Sequence, residues 1–248
     1  MSVSMSPEHF LGIPAPRRMR AGAQPHRGDP RMTLVEYLDA TEFAARSLLD
    51  AIWHEQAEIE ALSARVAILE RQVQAEYMRA QSLIDHAEDP DDLMLGVGRH
   101  WENYFGPDRE RHDQQQELEW LRGAREARAS ALGALAGNLL QVAKQGLSTA
   151  FGEEANWPDG RAVGSQTLKA VIRGARNQTI HWEEGQCRPA TEQVFQGLAQ
   201  DCGALFADYN TANLAMPVIT LLGWRTYEDY VADMRRFDTG AINHGNAQ

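Results

Sequence analysis

No proline or glycine interrupts the chain over residues 33–86. Within that run Leu48, Ile52, Ile59, Leu62, Val66, Leu69, Val73, Ala80 and Leu83 follow one another on alternating three- and four-residue steps, with Glu55 and Glu76 as the charged residues on the same line. A seven-residue repeat held for about five heptads describes a coiled coil or the arm of a long helical hairpin. Thr33 with Glu36 has the form of a capping box, in which each residue satisfies a free amide at the start of the helix. A seam this narrow cannot be buried by its own helix. It needs a partner, either a second copy of the chain or a later helix of the same one; the second copy is preferred, and a homodimer is expected. Pro90, set among Glu88, Asp89, Asp91 and Asp92, closes the stem, because proline disfavours helix in the residue before it.

The rest of the chain divides around that stem. Residues 1–31 carry Pro7, Pro14, Pro16, Pro25 and Pro30 beside Arg17, Arg18, Arg20, Arg27 and Arg31, with little periodic hydrophobicity, and read as a disordered tail rather than as a basic arm for RNA. Residues 32–88 are the stem. Residues 89–108 hold glycines, prolines and aromatics together and read as a packed connection. A second long helix is predicted over 108–151. Its later half places Ala129, Gly133 and Gly137 four apart, which makes sense where another helix crosses closely, since each glycine costs a helix on the order of 1 kcal/mol relative to alanine. Further helices are predicted over 161–184, 191–209, 213–222 and 227–237. No alternating strand pattern stands out, so the fold class is all-α: a long coiled-coil-like N-terminal helix ahead of a helical bundle over 109–248, the last part of it a C-terminal helical extension.

Charge narrows the partners. A net charge of −11 disfavours indiscriminate binding to nucleic acid, so any such site must be a local basic patch. The two cysteines, Cys187 and Cys202, form no disulfide framework and match no zinc spacing; both are expected as reduced thiols in a cytoplasmic protein. Neither an export signal nor a membrane span is legible, for the most apolar stretch, residues 214–224, is short and broken by Pro217. His86, His100 and His112 are scattered, and no metal or other cofactor is expected.

The helix predicted around residues 160–182 carries a local concentration of positive charge. Leu168, Val171, Ile172, Ala175 and Thr179 gather on one side of it, whereas Gln166, Lys169, Arg173, Arg176, Asn177 and His181 share the other, with Ile180 among them. The window contains no Asp or Glu, where the composition of the chain would put about three. Arginine offers phosphate a fixed fork of donors, and histidine exchanges protons near neutral pH. Asn177, four residues before His181, can orient the imidazole or bind phosphate. Glu184, three residues after it, can favour the imidazolium or be an ordinary surface group.

Arg176-Asn177-Gln178-Thr179-Ile180-His181 resembles the Arg-polar-x-x-x-His pattern of HEPN domains, helical proteins common among prokaryotic RNase toxins, phage-defence factors and RNA-processing proteins. The resemblance covers about half the chain, roughly residues 109–237. It implies a metal-independent endoribonuclease, of bacterial defence or toxin type, in which His181 and Arg176 act with Asn177 on the ribose 2′-hydroxyl and the phosphate. It also implies paired domains sharing one cleft, products ending in a 2′,3′-cyclic phosphate, and room for a neutralising or regulatory protein. Lys169 and Arg173 are candidate RNA contacts. Two other readings stand beside it: a helical RNA-binding or sensing module that does not cleave, and a coiled-coil scaffold or assembly protein.

Overall fold

The computed structural model describes residues 32–85 and 107–244. The expected tail over 1–31, the connection over 89–106, and His86 and His100 lie outside them. Among the described residues there are six α-helices and one two-stranded bridge: α1 (Leu34–Asp85), α2 (Pro107–Phe151), β1 (Ala162–Val163), β2 (Gln166–Thr167), α3 (Leu168–His181), α4 (Pro189–Asp201), α5 (Ala215–Leu222) and α6 (Tyr227–His244). The class is all-α, and the long N-terminal helix is there.

α1 opens on the capping box. The Thr33 amide donates to Glu36 Oε2 at 2.8 Å, and the Glu36 amide donates to Thr33 Oγ1 at 3.2 Å. Up to Leu69 the seam of α1 is covered from within the chain. Val66 and Leu69 are buried with Leu118 and Leu121 of α2, and Leu62 packs at their edge. Arg65 pairs with Glu117, Arg122 with Glu70 at 2.5 Å and Arg128 with Glu55 at 2.8 Å, so oppositely charged groups flank the seam. The first two pairs are exposed and the third is half-buried; each contributes little stability, but together they disfavour any register that sets like charges side by side. Glu55, the charged residue on the heptad line, is explained by Arg128. Around Leu62, Val66 and Leu69 it is a later helix of the same chain that supplies the cover.

The stem is not separate from the domain along its whole length. Leu34, Leu38, Ala45, Leu49 and Ile52 lie in one core with Leu139, Leu140 and Ala143 of α2, Ile172 of α3, Phe195 of α4, Ile219 of α5 and Phe237 of α6. Only the distal part, with Val66 and Leu69, has a small cluster of its own. Trp53 of α1 donates to the Trp224 carbonyl at 3.0 Å, and the Tyr227 hydroxyl donates to the Leu38 carbonyl at 3.1 Å, tying α1 to the start of α6.

The small residues of α2 are used unequally. A Cβ on Gly137 would stand 2.4 Å from Thr179 of α3, so the two backbones approach as closely as that glycine allows. A Cβ on Gly146 would stand 2.9 Å from the Tyr37 ring, whose hydroxyl donates to the Val142 carbonyl at 3.0 Å. At Gly133 the neighbour is the side chain of Asn213, 3.1 Å away. Ala129 meets no close helix and is exposed.

Several boundaries differ from expectation. Residues 161–167 form the bridge and not the first turns of a helix. Ala162 pairs with Thr167 and Val163 with Gln166 across a turn in which Gly164 takes φ +60°. Two-residue strands are too short to leave an alternating pattern. The helix expected over 191–209 ends at Asp201, where Gly203 takes φ +135° and a 3₁₀ turn over Ala204–Asp208 follows. α6 runs seven residues beyond its expected end.

Candidate functional site

α3 begins at Thr167, whose hydroxyl accepts from the Ala170 amide at 3.2 Å. Its buried face is the expected one: Leu168, Val171, Ile172 and Ala175 are sunk in the core, with Thr179 half-buried above Gly137. Gly174, also buried, lies against Val194 of α4.

The polar face departs from the simple picture of a free basic strip. Lys169 pairs with Asp159 at 2.6 Å and donates to the Trp157 carbonyl at 3.1 Å. Arg173 pairs with Glu154 at 2.8 Å. Arg161 donates through Nε and one terminal nitrogen to the two carboxylate oxygens of Asp233, itself 5% exposed. Trp224 Nε1 donates to the same carboxylate at 2.9 Å, which makes Arg161 a structural group. The 160–182 window lacks acids of its own, yet the loop before it and α6 bring them in. A local count along the chain cannot register such pairing.

Arg176 has different company. Its Nε donates to Gln141 Oε1 of α2 at 2.6 Å, and one terminal nitrogen donates to Asn177 Oδ1 at 3.1 Å. Both acceptors are neutral amides, so the guanidinium is oriented while its charge is not cancelled by them. His181, the last residue of α3, is 35% exposed, and its Nδ1 lies 2.7 Å from Glu184 Oε1. The contact makes Glu184 the partner of the ring at Nδ1. Five residues along an α-helix separate two positions by about 7.5 Å and roughly 140°. Arg176 leans toward α2 and His181 toward the turn after α3. Between them Ile180 is 52% exposed.

Gln178, inside the same six residues, went unnoticed in the sequence. It is fully buried: Nε2 donates to the carbonyls of Tyr209 at 2.9 Å and Ala212 at 2.6 Å, and Oε1 accepts from the Leu214 amide at 3.1 Å. It fastens the segment before α5 to α3. Gln141 was missed as well. A polar residue beside Leu139 and Leu140, it acquires meaning only when α3 crosses there.

Among the described residues no group of three or more His, Cys, Asp or Glu side chains is arranged to hold a metal ion, and no helix is long and apolar enough to cross a membrane. Cys187 and Cys202 are free thiols, and burial, chiefly, pushes both up. No protein-family model matches the chain, and no curated protein or solved structure matches it.

Proposed function

We propose that the chain is a metal-independent endoribonuclease of the HEPN type, acting in the cytoplasm on RNA through Arg176, Asn177 and His181. The observation that carries this reading is the contrast among the cations of α3: Lys169 and Arg173 face acids, whereas Arg176 is aimed by Gln141 and Asn177, which leave its charge for a phosphate. His181 Nε2 takes the proton of the ribose 2′-hydroxyl as that oxygen attacks phosphorus. The P–O5′ bond breaks, the 5′-oxygen leaves with a proton from a second acid, and a 2′,3′-cyclic phosphate remains. The single chain offers one imidazole for these two proton transfers. A second copy docking over Ile180 would bring the other, and an isoleucine half out in water beside charged groups suits such a contact. A defence or toxin role, with a neutralising protein, belongs to the same reading.

The test is purified protein with total RNA in EDTA, comparing wild type with His181→Ala and Arg176→Ala and assaying cyclic phosphate ends. Both substitutions are expected to abolish cleavage, and Ile180→Glu to halve the mass in sedimentation and lower cleavage with it. Cleavage that survives both alanine changes refutes the assignment. Wild type that retains RNA but leaves it intact would select RNA binding without cleavage instead.

A further inference from the structure

Two cavities adjoin along α2, and neither is lined by Arg176 or His181. One, about 610 Å³, lies between α1, α2 and α5, with Leu132 and Phe206 at its floor and Ile59, Met216 and Leu221 on its walls. The other, about 560 Å³, reaches the end of α3, where Thr179, Trp182, Glu183, Ser130 and Thr211 line it. Both are bordered by Ala129, Gly133 and Asn213, so they adjoin at the place where α2 carries no bulk. Each has the volume usual for a small-molecule site.

We propose that this two-part cleft binds a small amphipathic cation, its apolar body between α1, α2 and α5 and its ammonium or guanidinium head between Trp182 and Glu183. The apolar half offers a ligand hydrocarbon contact and no charge. At the other half an indole stands beside a carboxylate, and among the described residues that line either half Glu183 is the charged one. A carboxylate with an aromatic face selects a cation over a neutral or anionic head. The recess favours a slender molecule over a protein face, since Leu132 and Phe206 lie below the surface and of the large apolar liners only Leu205, 56% exposed, reaches the rim. This inference does not depend on the nuclease reading, because it uses neither Arg176 nor His181.

The probes are n-octylamine, protonated at pH 7, n-octanol and octanoate, followed by calorimetry and by tryptophan fluorescence. Octylammonium is expected to bind saturably at one site, about tenfold tighter than octanol, which matches the sum of a cation–aromatic contact and a partly exposed ion pair. Octanoate is expected to bind weakest. Glu183→Gln should cut the preference for octylammonium over octanol to about threefold, the contact with Trp182 remaining, and leave octanol unchanged. Ala129→Phe places a ring at the waist from an exposed position, where it cannot disturb the core, and should abolish binding of both with the circular dichroism of wild type. Equal affinity for octylammonium and octanoate, indifference to Glu183→Gln, binding that survives Ala129→Phe, or no saturable binding of octylammonium would each overturn the proposal.

Discussion

Replacing Gln178 by leucine keeps the volume of the side chain and removes three hydrogen bonds at once. The amide of Leu214, a residue 1% exposed, loses its acceptor in a place water does not reach, which costs about 1–3 kcal/mol. The carbonyls of Tyr209 and Ala212 lose their donor, but both residues are half-buried and water can replace part of the loss, so about 0.5 kcal/mol each is reasonable. The greater hydrophobicity of leucine offsets some of this. The net expectation is a destabilisation of about 1–3 kcal/mol, read from urea unfolding followed by tryptophan fluorescence. For a folded unit of this size that corresponds to a fall in Tm of roughly 2–12 °C. Gln178→Glu sharpens the test. A carboxylate still accepts from Leu214 but meets two carbonyl oxygens with nothing to donate, whereas a protonated carboxyl can serve one of them. Its deficit should therefore exceed that of leucine at pH 7 and shrink toward pH 4. If Gln178→Leu unfolds within about 0.5 kcal/mol of wild type, the buried amide does not hold the 209–214 segment, and the reasoning fails.

Other expectations rest on separate parts of the molecule. Arg161→Met strips the bidentate partner from the buried carboxylate of Asp233 while Trp224 and Arg236 keep their bonds, so a loss of about 2–4 kcal/mol is expected in the same unfolding assay; Arg161→Met with Asp233→Leu together should recover part of it. Leu69→Glu should speed amide exchange in the distal α1–α2 arm and leave the sedimenting mass of wild type unchanged; a mass reduced by half would return the seam to a second copy. Asp201, Asp229 and Glu36 are held below the usual carboxylate range, the first by the hydroxyl and amide of Ser165, the second by those of Thr226, the third by the amide and hydroxyl of Thr33. Folded values lower than unfolded ones mean that the stability they contribute is present above about pH 4 and is lost as pH falls through the lowered values. Asp201→Asn should flatten the acid limb of stability against pH, and a limb of unchanged slope would exclude that carboxylate.

What the chain determined by itself is whatever depends on neighbours along a helix. Periodicity without a breaker placed α1, and the capping box its first turn; the buried face of α3 follows from Leu168, Val171, Ile172 and Ala175 recurring on one side. Propensity and spacing are local quantities, and these features are local. Tertiary structure decided what faces what. Around Val66 and Leu69 the seam of α1 meets Leu118 and Leu121 of α2, and Arg65, Arg122 and Arg128 pair with acids more than fifty residues away in sequence for each. The basic window of α3 looked uncompensated because Glu154, Asp159 and Asp233 lie outside it, and electrostatic attraction acts through space. Gly133 and Gly137 look alike in a four-residue repeat, yet Thr179 closes over one, while the other opens on a cleft. In each case a side chain took its role from a partner that the one-dimensional order of residues does not place beside it.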